Sequence, residues 1–364
     1  MSSKINKITH VLTLICVGMV SLVIYPIHAW AIINGESIVW AENDNTVSLI
    51  NCTGTRIGRH YVLTAAHCFD DEQERYYLAD AHHQYERAIV DKVVIHPNYS
   101  PLHPLSEDVA ILTLSEITDV ARIQFFKDLT LPTYIKGTRI SVDGFGGKRI
   151  PERARFKLTT MDEKYPFNIE AEKVGIAHTE SGDSGAAWIN QDNEIIAVHQ
   201  AIGVHTIAGT DLYFASDFIL DNINGWHYPT IATVSEHTTI EVQSLHRNVI
   251  SDSAYVRGDV VLNVDESTCL KGPIKPFERC TYVIENTGGS GELYLSRTEV
   301  IRLTKGDDVN NSSGNNTNDI KPKPLPITNN PDAEQVHGKS GGSIGLASLL
   351  LMLGLSLIRK RFST

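Results

Sequence analysis

The sequence predicts an all-β protein with an unstructured tail, on three observations. Short apolar runs separated by turn residues recur at 47–50, 60–63, 88–95, 109–114, 139–142 and 195–198. That spacing suits a barrel or a sandwich. Helical period over more than two turns is confined to 215–223, near the end of this first stretch. Beyond Trp226 a second β-rich stretch begins, alternating at 239–242, 256–264, 282–285 and 293–295.

The chain of 364 residues accommodates two domains and tails, and a hydrophobic content of 42% supports a real core. The net charge of −11 argues against nucleic acid as a partner. Lys4 and Lys7 precede an apolar run over 11–25, and Ala29 and Ala31 fit a small-residue cleavage site. Residues 1–31 therefore read as a secretory signal peptide, cut after Ala31 or, alternatively, after Ala29 with Trp30-Ala31 trimmed later. Cys16 lies inside the apolar run, which leaves Cys52, Cys68, Cys269 and Cys280 in the exported chain. An even count in that compartment suggests two disulfides.

The first domain spans 32–227 and the second 228–304. About 75 residues make a small core, so the pair Cys269/Cys280 is expected to staple the second domain, a small immunoglobulin-like sandwich. From 305 to 343 the chain is rich in Asn, Asp, Ser and Pro and ends in Ser340-Gly341-Gly342-Ser343. It lacks the apolar residues to fold and reads as a disordered linker. Residues 344–358 carry no charge and are followed by Arg359-Lys360-Arg361. As a helix this run rises ~22 Å against a hydrocarbon core of ~30 Å, with flanking serines and snorkelling cations making up the difference. The basic end, 359–364, would stay cytoplasmic.

Chemistry concentrates at Gly182-Asp183-Ser184-Gly185. A serine in a glycine-flanked turn exposes its hydroxyl beside backbone N–H groups, the arrangement acyl transfer needs. Upstream, His67 stands in Thr64-Ala65-Ala66-His67-Cys68, where a Cys52–Cys68 disulfide would pin its loop. Asp108 stands at the mouth of the apolar strand 109–114. A buried carboxylate there must be hydrogen-bonded, and an imidazole N–H is a suitable partner. Histidine, aspartate and serine in this order form one of the known triad orders.

These motifs, with Ile32-Ile33-Asn34-Gly35, His96-Pro97-Asn98-Tyr99 and Gly144-Phe145-Gly146 in the matching order, resemble the trypsin-like (chymotrypsin-fold) serine endopeptidases over residues 32–226. The resemblance implies two six-stranded β-barrels around a cleft. It implies His67 as general base, Asp108 as its orienting acid and Ser184 as nucleophile. The N–H groups of Gly182 and Ser184 would form the oxyanion hole. The ammonium of Ile32, freed by signal cleavage, would pair with Asp183 and order that hole. Protein and peptide substrates follow; no cofactor or metal does. His82-His83 near Asp80 reads as a solvated turn.

Trypsin-like cleavage needs a carboxylate at the sixth position before the nucleophile, and here that position is His178. The family's usual cysteine before the active site is replaced by Glu180. Thr179 and His199 are spaced about Ser184 as in the bacterial glutamyl endopeptidases, which implies a pocket of His178, Thr179 and His199 that takes an acidic side chain. The carboxyl terminus resembles the GlyGly-CTERM sorting signals of Gram-negative bacteria. That implies transient anchoring in the inner membrane, cleavage by a rhomboid-like protease, type II secretion, and arrival at the cell surface or in the medium. Two other functional readings exist: a catalytically silent binding or adhesion module, and a docking role for 228–304 with the protease as accessory.

Overall fold

The computed structural model describes residues 32–49, 51–69, 76–81, 88–103, 105–115 and 119–306. The expected signal peptide, most of the linker, the sorting helix, the basic tail and His82-His83 lie outside these residues. Among the described residues no helix is long and apolar enough to cross a membrane.

The described residues are all-β, with two barrel-like sheets, one α-helix and an additional C-terminal sheet domain. The first sheet runs in the order Thr46–Ser48, Thr53–Ile57, Tyr61–Thr64, Ala110–Leu114, Ala88–Ile95, Tyr76–Leu78. A bridge between Ser48 and Ala79 joins its two edges, with Ser48 N–H donating to the Ala79 carbonyl at 2.9 Å. In the second sheet, Arg139–Gly144, Glu152–Met161, Asn168–Lys173, Thr206–Asp211, Glu194–Ile202 and Ala187–Asn190 pair in sequence around a ring, and Ala187–Asn190 pairs back to Arg139–Gly144. Two short strands are added outside the ring: Glu36–Ser37 on Glu152–Met161, and Phe125–Phe126 parallel to Glu194–Ile202.

Successive side chains of a strand point to opposite faces, and several strands here bury both. Ala110, Leu112 and Leu114 fill the first barrel with Val47, Val62 and Leu78, while Ile111 turns the other way. It joins Ile57, Leu63, Phe126, Ile195 and Val198 in a third core between the barrels. Burial on both faces explains why these strands read as continuous apolar runs rather than alternating ones. Ile196 and Ala197 pack inside the second barrel with Ile140, Phe156, Ile169 and Trp188.

The helix Ser216–Ile223 lays Phe218, Ile219, Leu220 and Ile223 on the inter-barrel core. It ends at Asn224, whose left-handed conformation (φ 42°) turns its N–H back to the Leu220 carbonyl at 3.0 Å.

The C-terminal sheet contains Trp226–His227, His237–Ser244, Arg279–Tyr294, Val300–Lys305 and Ile231–Val234 in that order, with Tyr255–Asn263 also on Arg279–Tyr294. A separate two-stranded piece joins Ile250–Ser251 to Pro273–Ile274. Its core takes in Trp226 as well as Tyr228, so the sheet begins just ahead of residue 228. The strands expected at 282–285 and 293–295 are one continuous strand, Arg279–Tyr294, running straight through Thr287-Gly288-Gly289-Ser290-Gly291. Pairing on both flanks overrides the turn chemistry of those residues, and the glycines allow close approach: a Cβ on Gly258 would stand 2.7 Å from Gly291 Cα.

This sheet is welded to the barrels. Gln243, fully buried, accepts the N–H of Phe126 at 2.9 Å and donates to the carbonyls of Phe126 and Phe277 at 2.8 and 2.9 Å. His227, also fully buried, accepts the Gly58 N–H on Nδ1 at 2.9 Å and faces the Gln124 carbonyl with Nε2 at 2.9 Å. Its pKa is pushed down to about 4 by burial, so the ring is neutral. Leu245 and Phe277 enter the inter-barrel core.

Candidate active site

Antiparallel register assembles the first half of the site. Tyr61–Thr64 pairs with Ala110–Leu114 so that Thr64 lies opposite Ala110. The chain leaving the first strand therefore passes the residues entering the second, which brings His67 to Asp108. His67 sits in the 3-10 turn Ala66–Phe69, and its neighbour Cys68 is bonded to Cys52 (S–S 2.02 Å, Cα–Cα 6.3 Å). His67 Nδ1 is 2.6 Å from Asp108 Oδ2, and the backbone N–H of His67 donates to Asp108 Oδ1 at 2.9 Å. Asp108 is almost completely buried, whereas the His67 side chain is 32% exposed. A hydrogen on Nδ1 aimed at the carboxylate makes Nε2 the nitrogen that accepts a proton. From the second barrel, Thr210 Oγ1 accepts the Asp108 N–H at 3.3 Å.

Ser184 arrives from the second barrel. Its carbonyl accepts the Thr53 N–H at 2.8 Å, and Thr53 Oγ1 donates to the Gly182 carbonyl at 2.8 Å. Thr53 thus fastens the serine turn to the first barrel from both its backbone and its side chain. Gly185 (φ +86°) is required by space as well as conformation: a Cβ there would lie 2.1 Å from Thr64 Oγ1 and 2.3 Å from the Thr53 carbonyl. Thr53 and Thr210 escaped the sequence reading of the site, and Thr64 entered it only as the first residue of the His67 motif. The only sign of Thr53 is its place beside Cys52.

Asp183 is fully buried. Its Oδ2 accepts the Glu180 N–H at 2.8 Å, while Oδ1 has no hydrogen-bond partner among the described residues. Burial pushes its carboxyl up to about 7; N–H groups of Glu180 and Gly146 oppose the shift, and the charges of Glu180 and Glu152 reinforce it. Ile32 is buried in the second barrel's core, and Ile33 pairs with His178 through hydrogen bonds of 2.9 and 3.2 Å. Residue 32 is thus seated in the same barrel as the serine turn.

The three residues expected in a specificity pocket fall into two groups. His178 is partly exposed, with Nε2 3.5 Å from Glu180 Oε1. Thr179 and His199 are fully buried. The strand bearing His199 runs beside the serine turn: Gly185 N–H donates to the His199 carbonyl and His199 N–H to that of Ala186, both at 2.8 Å. The His199 pKa is pushed down to about 3 by burial and by the nearby His67. Cys52, His67 and Cys68 lie close enough to share an ion, but their sulfurs are spent in the disulfide. Cys269–Cys280 (S–S 2.04 Å) ties the turn Thr268–Lys271 to the strand Arg279–Tyr294 in the other domain.

Several known proteins are similar to this chain. The mouse (Mus musculus) protein "Kallikrein 1-related peptidase-like b4" is 24% identical over 232 residues, 58% of this chain and 82% of its own. Among solved structures, the VesB protease of Vibrio cholerae is 19% identical, with a TM-score of 0.46 over 76% of this chain and 100% of its own. Human heparin binding protein is 20% identical, with a TM-score of 0.46 over 53% of this chain and 96% of its own. The secreted serine protease VesC of Vibrio cholerae is 17% identical, with a TM-score of 0.44 over 75% of this chain and 71% of its own. The Trypsin family model matches residues 34–219, which hold His67, Asp108 and Ser184, and the chain belongs to that family of serine endopeptidases.

Proposed function

We propose that this protein hydrolyses internal peptide bonds of protein substrates through an acyl-enzyme, with Ser184 as nucleophile, His67 as base and then acid, and Asp108 as orienting group. The observation that carries the reading is the double contact of Asp108 with His67, at 2.6 Å on the ring and 2.9 Å on the backbone. It holds the imidazole in the tautomer whose Nε2 takes the serine proton. As Ser184 Oγ attacks the scissile carbonyl, its proton passes to His67, and the new oxyanion is met by the N–H groups of Gly182 and Ser184. His67 then protonates the leaving amine, and water repeats the sequence to release the acid.

Activation follows the Ile32–Asp183 pair. In a chain still joined to Ala31 the amide of Ile32 is uncharged, and the unsatisfied Oδ1 of Asp183 with its raised pKa fits a carboxylate waiting for a cation. Cutting after Ala31 supplies that ammonium. The pocket of Thr179 and His199 takes a side chain ending in a hydrogen-bond acceptor. The protein works outside the cytoplasm, consistent with its two disulfides, and its tail serves as a sorting signal removed by a rhomboid-like protease.

A fluorophosphonate probe tests the chemistry: the wild type is labelled and Ser184→Ala is not. Equal labelling of the two would sink the assignment. N-terminal sequencing of labelled protein should begin at Ile32.

A further inference from the structure

Two polar atoms beside the Ser184 turn, Thr179 Oγ1 and His199 Nε2, are shielded from solvent and have no hydrogen-bond partner among the described residues. Such atoms are rare in folded proteins, and each calls for an explanation. Both belong to segments fastened to the nucleophile. Thr179 leads into the turn closed by Asp183 N–H on the Glu180 carbonyl at 3.1 Å, and His199 is hydrogen-bonded to Gly185 and Ala186.

Trp188 decides what His199 can offer. The indole Nε1–H points at His199 Nδ1 at 3.4 Å. An indole nitrogen only donates, so Nδ1 is the accepting nitrogen and Nε2 carries the hydrogen. The indole is held in place: Trp188 is fully buried and occupies the space left by Gly209, where a Cβ would stand 2.7 Å from Trp188 Cζ2. Protonating the imidazole would set Nδ1–H against the indole N–H. Burial and the neighbouring His67 act in the same direction. The site therefore offers an N–H and a hydroxyl, both neutral.

We infer that the side chain selected on the acyl side of the scissile bond is a neutral carboxamide, that of glutamine or asparagine, in preference to a carboxylate. This rests on the endopeptidase reading above. The amide oxygen accepts from His199 Nε2–H. Thr179 Oγ1, which can accept as well as donate, takes a hydrogen of the amide nitrogen. A carboxylate offers acceptors only and would enter without a countercharge, which costs far more than burying an amide. The local field opposes it too: Glu180 and Glu152 act on the adjoining Asp183, and the half-exposed His178 ring stands against Glu180.

The test uses the processed full chain and peptides differing only at that position. Fluorophosphonate titration counts competent sites. The expected result is a kcat/KM for Gln or Asn roughly tenfold or more above that for Glu or Asp. Thr179→Val should lower the carboxamide rate roughly tenfold while leaving labelling intact. Trp188→Phe, which removes the hydrogen that fixes the tautomer, should narrow the ratio of amide to acid. Should that variant not fold, the wild-type series and Thr179→Val decide alone. Normal labelling with acids cleaved as fast as amides, or with Lys, Arg or Phe preferred, overturns this inference and leaves the endopeptidase reading standing. Absence of labelling overturns both.

Discussion

Asp108 takes two hydrogens from His67, one from the ring and one from the backbone, so the same carboxylate fixes both the position of the residue and its tautomer. Asp108→Asn can keep the backbone contact and lose the ring contact. An amide that accepts the backbone N–H presents its own N–H to Nδ1, and the imidazole must turn that nitrogen into the acceptor. The expected loss in kcat is ~10³–10⁴-fold with little change in KM. A melting temperature close to wild type, alongside that loss, would show that the effect lies in the tautomer.

The two glycines Gly185 and Gly175 share a left-handed conformation (φ +86° and +95°) but not a neighbourhood. Gly175→Ala meets nothing within 4 Å and should cost only the backbone strain, about 1 kcal/mol. Gly185→Ala drives a methyl group into Thr64 and Thr53 and should cost about 2–4 kcal/mol, or ~5–10 °C in melting temperature. It should also abolish fluorophosphonate labelling, because the serine turn must move away from the first barrel.

The carboxyl of Asp183 keeps its proton to about pH 7 in the folded, unprocessed chain, whereas unfolding returns it to the ordinary value of 3.8. Its contribution to stability is therefore full below pH 3.8 and is lost as pH rises toward 7. Unprocessed Ser184→Ala protein should lose on the order of a few kcal/mol of stability across that window. Adding Asp183→Asn should flatten the slope. A chain beginning at Ile32 should reverse it, since an ammonium partner pulls the carboxyl pKa down. Thermal melts of the three proteins against pH check this.

Gln243 satisfies three backbone groups at the junction between the C-terminal sheet and the barrels, two of them on Phe126 across it. Gln243→Ala orphans the Phe126 N–H and should destabilise the protein by about 2–4 kcal/mol. Calorimetry on the wild type should show one transition for residues 32–306, since the sheet shares a core with the helix. A chain truncated after residue 225 exposes that core and should aggregate.

The proposed nucleophile, base and acid are legible because each stands in a short motif whose neighbours are also informative, such as Cys68 beside His67 and the glycines around Ser184. The parts that buttress them are not. Thr53 and Thr210 act through contacts with residues far away in sequence, and threonines in strands are common. The ring strand Glu152–Met161 alternates, with Ala154, Phe156 and Leu158 inward and Arg153, Arg155 and Lys157 between them, and is passed over when the first domain is read from continuous apolar runs. The length of Arg279–Tyr294 was hidden by its own glycines. His178, Thr179 and His199 were picked out together by spacing, yet only burial separates the half-exposed first from the other two.

The inter-barrel core puts the C-terminal sheet mechanically in series with the proposed substrate pocket. Leu245 and Phe277 of the sheet pack in the same cluster as Val198, whose next residue is His199. Close-packed interiors transmit small displacements rather than absorbing them. A ligand or a pulling force that shifts the sheet thus bears on the strand that carries His199.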